Sequence, residues 1–434
     1  VDPNQLTLQH ARELDTRDPL AAFRSRFFFP EECPLYLDGN SLGRVPFITT
    51  ARMRTVVVEQ WGADLIRSWN KNWWDAPVRV GEKIARLVGA APGQVVVSDS
   101  TSVDLFKLAA AALLLRPGRT KIVTDTLNFP SDVYVLQGLA GLLSPGAAKN
   151  GRNEARYEIV LVDSQDGGIS PDLAALEAAI DEDTALVTLS HAAFKSGYLY
   201  DMAHINDMAH ARGALTLWDL SHSVGVVSIE LDASRADFAI GCTYKYLNGG
   251  PGSPAFLYVN RSHQSQAVSP IWGWFGQNEP FAFGLEYVPA PGVTRFLAGS
   301  PPVLSMLALE ASLEPLLEAG VEAVRRKSIL LTDYAVWLSE GLLAPHGFSL
   351  GSPTDPARRG SHISLRHREG YRINRALIEE MCLIPDFREP DNIRLGFAPL
   401  YTSFEDVWTG IERIRLVMEE KRHLKYSPER EKVT

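Results

Sequence analysis

Apolar positions along this chain fall into two alternating textures. Short, nearly unbroken apolar runs at Val95-Val96-Val97, Lys121-Ile122-Val123-Thr124, residues 159–162, residues 185–189, Leu215-Thr216-Leu217-Trp218 and Phe238-Ala239-Ile240-Gly241 read as buried strands. Before and between them lie stretches of helical spacing at residues 48–61 and 103–115, and from Asp201 to Arg212, ending at Gly213. A strand covered on both faces has no polar side to alternate. The pattern therefore predicts a mostly parallel sheet with helices on its faces. Around Pro301-Pro302 the texture changes. Residues 303–343 read as helix with a break near Gly320, and residues 351–360 as a polar loop rich in Pro and Arg. Residues 362–400 read as short strands with one helix, and residues 404–424 as an amphipathic C-terminal helix. Residues 1–35 are polar and then rich in Arg and Phe, and predict an N-terminal arm; Ser427 to Thr434 are charged and read as frayed. The predicted organisation is an arm over 1–47, a large α/β domain over 48–310 and a smaller α+β domain over 311–434, with the boundary inside 305–325.

Composition narrows the function classes. The chain has 434 residues, 45% hydrophobic and 22% charged, an ordinary globular profile with room for more than one domain. Its 43 Lys and Arg against 52 Asp and Glu give a net charge of −9, which argues against a general nucleic-acid binder. The longest purely apolar run, Leu108 to Leu115, is far short of a membrane span. No basic-then-apolar leader opens the chain. Cys33, Cys242 and Cys382 are scattered and odd in number, and read as reduced thiols in a cytoplasmic protein. Metal binding is not expected: His204 and His210, like His362 and His367, lack the i, i+4 spacing of a helical zinc pair. The glycines of Gly249-Gly250-Pro251-Gly252 lack dinucleotide-loop spacing, and no phosphate-loop motif of the G-x-x-x-x-G-K type is present.

Three segments carry candidate chemistry. Ser98-Asp99-Ser100-Thr101-Ser102 lies between a strand and a helix, where hydroxyls and unpaired N–H groups either cap the helix or bind an anion. Asp219, in Trp218-Asp219-Leu220-Ser221-His222, sits at the end of an apolar strand, where open α/β sheets place their ligands; a helix cap is the other reading. Lys245, in Thr243-Tyr244-Lys245-Tyr246, follows the next strand and precedes a Gly-rich turn, conditions that suit a Schiff-base lysine as well as a surface one. Taken together and in that chain order, a phosphate cup, a strand-end acid and a strand-end lysine are the parts that pyridoxal 5'-phosphate (PLP) requires. Phe129-Pro130-Ser131-Asp132 adds an aromatic that could stack on the ring and a second acid.

These residues resemble the kynureninase family, within the aspartate-aminotransferase-like (fold type I) superfamily of PLP enzymes. The resembling stretches are Tyr36 to Gly43, Leu65 to Trp69, Ser100 to Lys107, Asn128 to Asp132, Trp218 to His222, Thr243 to Gly252, Phe296 to Pro302 and Arg394 to Phe404. They follow the family order over nearly the whole chain. The resemblance implies the PLP-dependent transferase fold: a large domain with a mostly parallel central sheet and a smaller α+β C-terminal domain. It implies that Lys245 holds the cofactor, that Thr101 and Ser102 contact its phosphate, that Phe129 stacks on the ring, and that Asp219, supported by Asp132, pairs with the pyridine nitrogen. Ser190, His222, Tyr244, Trp274 and Ser300 match other cofactor-contacting positions, and Tyr244 is a candidate proton relay. Arg394 resembles the arginine that grips the substrate α-carboxylate, and Trp69, Gly299 and Ser300 match positions around the substrate's aromatic ring. The implied activity is hydrolysis of L-kynurenine to anthranilate and L-alanine by Cβ–Cγ cleavage, in tryptophan catabolism. The implied assembly is a homodimer, with Trp274 and Ser300 reaching the cofactor phosphate across the interface. One departure concerns Asp104, where the family usually has Asn. A carboxylate there suits the helix dipole but has to point away from a bound phosphate.

Other readings stay open at this point. Gly39-Asn40-Ser41-Leu42-Gly43 matches the G-x-S-x-G nucleophile elbow of serine hydrolases, although few residues precede it and Arg44-Val45-Pro46 opens a helix poorly. Another fold type I PLP enzyme is the nearer rival, whether an aminotransferase, a related decarboxylase or a cysteine desulfurase-like lyase. The last needs a reactive Cys on a mobile loop, and Cys382 reads instead as a buried Cys at a helix end.

Overall fold

The structure is a computed structural model that describes residues 3–30, 34–144 and 156–429. In chain order its first part runs α1 (Leu8–Thr16), β1 (Leu35–Tyr36), α2 (Phe47–Thr55), α3 (Ala76–Ala85), β2 (Val95–Ser98), α4 (Thr101–Leu115), β3 (Lys121–Asp125), α5 (Pro130–Leu142) and β4 (Glu158–Val162). It continues with α6 (Leu173–Ala179), β5 (Thr184–Ser190), α7 (Met202–Ala211), β6 (Leu215–Asp219), β7 (Phe238–Gly241), β8 (Ala255–Val259) and α8 (Arg261–Gln264). The last part is α9 (Val303–Ser312), α10 (Glu314–Ala319), α11 (Val321–Leu342), β9 (Ser349–Leu350), β10 (His362–Arg366), α12 (Gly370–Glu380), β11 (Leu383–Ile384), β12 (Asp386–Arg388), β13 (Asn392–Gly396) and α13 (Phe404–Glu419).

The large sheet has seven strands in the order β2-β8-β7-β6-β5-β3-β4. All are parallel except β8, which runs antiparallel to both β2 and β7. Alternation along each strand divides the core. Val95, Val97, Val123, Val187, Trp218 and Ala239 pack on one face with α3, α7 and α9. Val96, Ile122, Leu186, Leu217, Phe238 and Ile240 pack on the other with α4 and α5. The strands inside the sheet are therefore buried on both sides, which is why they read as solid apolar runs rather than as alternating ones, while the edge strand β4 is only partly covered.

Four strands in the order β12-β13-β10-β9 form a smaller antiparallel sheet, covered by α11, α12 and α13. Parts of the N-terminal segment join this body, while Leu20 and Phe27 pack into the core of the large sheet. β1 pairs in parallel with β11, α1 packs on α13, and Ala11 and Leu37 are fully buried in the same apolar cluster as Leu365, Ile393 and Ile414. The C-terminal helix starts where the sequence predicts, with a Ser403–Asp406 capping box. It stops earlier than predicted, because Lys421 is left-handed and only a short 3-10 turn, Arg422–Lys425, follows. Of the stretch read as frayed, residues 430–434 lie outside the described residues, as does Cys33. Among the described residues, no helix is long and apolar enough to cross a membrane.

Candidate active site

Parallel strands deliver their C-terminal ends to one edge of a sheet. Here that edge opens into a cavity of about 470 Å³, closed on its other side by Arg388 and Arg394 of the small sheet.

The β2–α4 connection forms one wall. Asp99 adopts a positive φ of 32°, turning the chain so that Ser100, Thr101 and Ser102 line the cavity at the start of the 15-residue helix α4. Ser100 stands at the N-cap position, yet its side chain makes no capping bond. A plain cap would spend its hydroxyl on the helix. Here the hydroxyls stand with the unpaired N–H groups of the first turn, an arrangement that favours an anion. Asp104 is not on this wall. It is fully buried, with Lys107 Nζ 3.5 Å from its carboxylate, and burial pushes its carboxyl well above the usual range. Lys107 also donates to Ser98 Oγ (3.0 Å) and the Phe296 carbonyl (2.7 Å) and pairs with Asp99. The first-turn acid thus points away from the anion wall.

Lys245 comes from the turn after β7, a turn that needs left-handed backbone at Asn248, Gly250 and Gly252. Its Nζ lies 2.8 Å from His222 Nε2. Burial, and then the lysine's charge, hold His222 well below the ordinary imidazole range, so it faces Lys245 as a neutral acceptor. Tyr244 lines the cavity beside it, its hydroxyl held up by the neighbouring Cys242 and by burial. Against this turn lies the loop that resembled a nucleophile elbow. Gly43 N donates to the Tyr244 carbonyl (2.8 Å), and a Cβ on Gly43 would stand 2.3 Å from the Lys245 carbonyl oxygen. The glycine is thus required by close backbone approach, and the loop leads from β1 towards α2 outside the large sheet, so it is no elbow.

Asp219 ends β6, and Ser221 N donates to its Oδ1 (2.8 Å). Asp132, in the first turn of α5, faces the same cavity. Burial raises both carboxyls. It raises Asp132 further because Asp219 is beside it, while Lys245 and Ser221 pull Asp219 back down. Burial and the neighbouring carboxylate thus push Asp132 towards its protonated form more strongly than Asp219. Phe129 precedes α5 with a partly exposed ring on the cavity wall. Ser190 is buried and off the wall: it donates to Asn128 Oδ1 (2.6 Å), which in turn accepts from Phe129 N (2.9 Å). Through Asn128 it bears on the backbone of Phe129, and in the β5–β6 ladder it stands beside Asp219.

Arg394 lies at the centre of β13 and is buried, and burial lowers its pKa. Its Nη2 donates to Ser41 Oγ (2.9 Å) and pairs with Asp386; its Nη1 donates to the Phe194 carbonyl. The Asn40 amide, oriented to donate to Asp38, accepts from Nε at 2.9 Å. Asp38, 4.0 Å from the guanidinium, has its carboxyl pushed up to about 6 by burial and by Asp386. Arg366 is drawn away to Asp391.

The cavity thus gathers Thr101, Ser102, Phe129, Asp132, Asp219, His222, Tyr244, Lys245 and Arg394. Trp69, Trp274, Gly299 and Ser300 are not on its wall. Trp69 and Trp274 stack edge-on (6.4 Å) in an aromatic cluster with Trp74, Phe275 and Phe281. The wall also contains Ser41, Asp99 and Ser221, which lie inside the candidate segments but were given no role there, and Ser253, which no motif marked. Arg388 is on the wall as well; in sequence it stands, with Arg366, behind Arg394 as a candidate for the substrate carboxylate. Cys382 corrects an expectation: it follows α12 as predicted but is exposed, not buried, in a left-handed turn away from the cavity. Among the described residues no cluster of His, Cys, Asp and Glu could hold a metal.

Comparison with known proteins follows the same lines. Residues 324–414 match the family model described as kynureninase C-terminal domain. The chain is 43% identical to a kynureninase of Pseudomonas fluorescens over 413 residues, 94% of each chain. It is 42% identical to a kynureninase of Burkholderia pseudomallei (strain K96243) over 418 residues, 95% of this chain and 96% of the relative. Among solved structures it is similar to a cysteine desulfurase from Thermococcus onnurineus NA1 (TM-score 0.73, 18% identity, 94% of this chain and 98% of that one). It is also similar to the cysteine desulfurase CsdA from Escherichia coli (TM-score 0.74, 18% identity, 94% and 98%). At that identity the two structures speak for the fold alone.

Proposed function

The chain belongs to the kynureninase family, and from that premise we infer its reaction: hydrolysis of L-kynurenine to anthranilate and L-alanine, a step of tryptophan catabolism, with PLP as cofactor. The observation that carries this reading is the convergence on one cavity of an uncapped helix start, the Asp132–Asp219 pair and Lys245 beside a neutral His222. The residues fit PLP. Hydroxyls and N–H groups that no cap consumes suit a phosphate, and a charged acid backed by a protonated one suits a pyridinium. When bound, the cofactor supplies an electron sink for charge developing on substrate carbon.

The chain's own groups then divide the work. Thr101 and Ser102 would hold the phosphate, Phe129 would stack on the ring, and Asp219, bonded by Ser221, would keep the ring nitrogen protonated. Lys245 would hold the cofactor, and its amine would serve as the base for the substrate Cα proton. His222 accepts a hydrogen bond from Lys245 and steadies it. Tyr244 moves protons at the γ-carbonyl and at Cβ, where water addition and Cβ–Cγ cleavage release anthranilate and then alanine. Arg394 grips the α-carboxylate. Mixing the holoenzyme with L-kynurenine should produce anthranilate fluorescence; its absence with cofactor bound would refute the reading.

The four candidates away from the cavity support a homodimer in which Trp69, Trp274, Gly299 and Ser300 complete the neighbouring protomer's site. The exposed Trp272, Trp274, Phe281, Phe283 and Leu285 offer the apolar surface for it. Sedimentation should give twice the chain mass. A cytoplasmic location is supported by the free thiols of Cys242 and Cys382, and cell fractionation tests it.

Two predictions arise here. Arg394→Lys keeps the charge but loses the planar fork, so KM for kynurenine should rise strongly while the cofactor stays bound. An unchanged KM would move the carboxylate site elsewhere, with Arg366 or Arg388 next in line. The second prediction is a preference for kynurenine over 3-hydroxykynurenine. Of the ring-facing candidates, Trp69 is largely apolar and Gly299 has no side chain. An apolar pocket rejects an added hydroxyl only weakly, so the ratio of kcat/KM should be about 10²-fold or less. Trp69→His with Gly299→Ser and Ser300→Asn should shift preference towards the hydroxylated substrate. A wild-type kcat/KM higher for 3-hydroxykynurenine would show the pocket to be misassigned.

A further inference from the structure

Strand register, and not chain proximity, brings together three charged groups at the cavity. Asp386 is paired directly across from Arg394 in the β12–β13 ladder, so the two side chains share a face of the small sheet. Arg388 lies two residues along β12 on that same face. One carboxylate oxygen, Asp386 Oδ2, faces both cations: it pairs with Arg394 Nη2 and lies 2.9 Å from Arg388 Nε, a charge contact without a hydrogen bond, since that buried Nε has no hydrogen-bond partner. Arg388 and Arg394 line the cavity, whereas Asp386 does not.

The donors of Arg394 are nearly all engaged. Nε is used by Asn40, Nη2 gives one N–H to Ser41 and the other to Asp386, and Nη1 gives one to Phe194. A bidentate carboxylate needs two adjacent N–H groups. With Nε committed to the buried Asn40, the available edge is Nη1 with Nη2, so a partner on Nη2 has to leave. Ser41 is neutral and can turn its hydroxyl to donate to the newcomer. Asp386 is an anion, and two carboxylates on one guanidinium edge repel each other.

We propose that Asp386 is a resident carboxylate that occupies the substrate's place on Arg394 and passes to Arg388 when the substrate carboxylate arrives. The proposal rests on the assignment of Arg394 to the α-carboxylate. The exchange leaves no buried charge unpaired: Arg394 trades one carboxylate for another, and Asp386 keeps a partner it already touches. Asp386 and Arg388 act through Arg394 and are positioning residues. The cost is self-competition, because the apparent affinity falls by the fraction of time that Arg394 is free to bind.

The test is a mutant cycle on the holoenzyme with L-kynurenine, together with the dissociation constant of L-alanine read from the visible spectrum. Asp386→Asn should lower both KM and the alanine constant by roughly threefold to tenfold, with kcat little changed. Arg388→Gln, on a partly exposed side chain, should raise both by a similar factor, because Asp386 loses its second partner. In the Asp386→Asn background that effect should vanish, a non-additivity that only coupled residues show. Asp386→Ala serves as the second variant and should match Asp386→Asn. A rise in KM in the Asp386 variants would make Asp386 a simple anchor of Arg394 and overturn the exchange. An Arg388→Gln effect of equal size in both backgrounds would make Arg388 a direct substrate ligand and overturn it as well. If Arg394→Lys leaves KM unchanged, it is the carboxylate assignment itself that fails, a result distinct from either.

Discussion

Lys245→Ala should lower kcat by at least about 10³-fold, the scale on which a positioned acid–base group contributes, and should abolish the covalent link to the cofactor. Nothing nearby can replace it. The other nitrogen base within reach is His222, which burial and the lysine's own charge keep neutral and which serves as Lys245's hydrogen-bond acceptor at 2.8 Å. Lys107 is buried behind the helix start and committed to Asp99 and Ser98. Borohydride treatment of wild-type holoenzyme followed by digestion should put the label on the single peptide that contains Lys245. A label on any other lysine, or turnover by Lys245→Ala within tenfold of wild type, would remove it from its role.

Asp219→Asn should lose at least about 10²-fold in kcat, the effect of deleting one preorganised electrostatic stabiliser. Asparagine can still hydrogen-bond to the ring nitrogen, but it carries no charge to keep a proton there. The neighbouring acid sharpens the test. Burial and Asp219 push Asp132 towards its protonated form, in which it is a neutral donor. Asp132→Asn replaces one neutral donor with another and should cost no more than about tenfold. Both variants should be measured at saturating cofactor. If Asp219→Asn stays within a few fold of wild type, the electron-sink assignment fails. If Asp132→Asn is the more damaging of the two, their protonation states are the reverse of those argued above.

What was legible in the chain alone is what local burial dictates. A strand covered on both sides must be apolar throughout, so β3, β5, β6 and β7 are readable as runs, and the residues just beyond them are candidates for chemistry. Asp219 and Lys245 were found in this way, and the helix-start hydroxyls of Thr101 and Ser102 by the break between strand and helix. Composition and the absence of ligand-spaced His pairs told against nucleic-acid and metal functions. None of this needs a partner from elsewhere in the sequence.

What only the tertiary structure decided depends on contacts between distant segments. The antiparallel placement of β8 between β2 and β7, the docking of β1 beside β11 and the burial of Ala11 and Leu37 in the C-terminal core leave no periodic trace, because pairing partners are chosen by register and not by pattern. The G-x-S-x-G match is explained by the approach of Gly43 to the Lys245 turn, across some two hundred residues of chain. Cys382 follows a helix as read, yet its exposure is set by how the chain turns into β11. The charges around Arg394 are the clearest case. Asp386 looks like an ordinary surface residue in sequence and Arg388 like a spare cation, and only the β12–β13 ladder puts both on the face of the arginine they influence. Sequence specifies burial residue by residue, whereas a charge acts on whatever folding brings within a few ångströms of it, and that distance is a property of the folded chain alone.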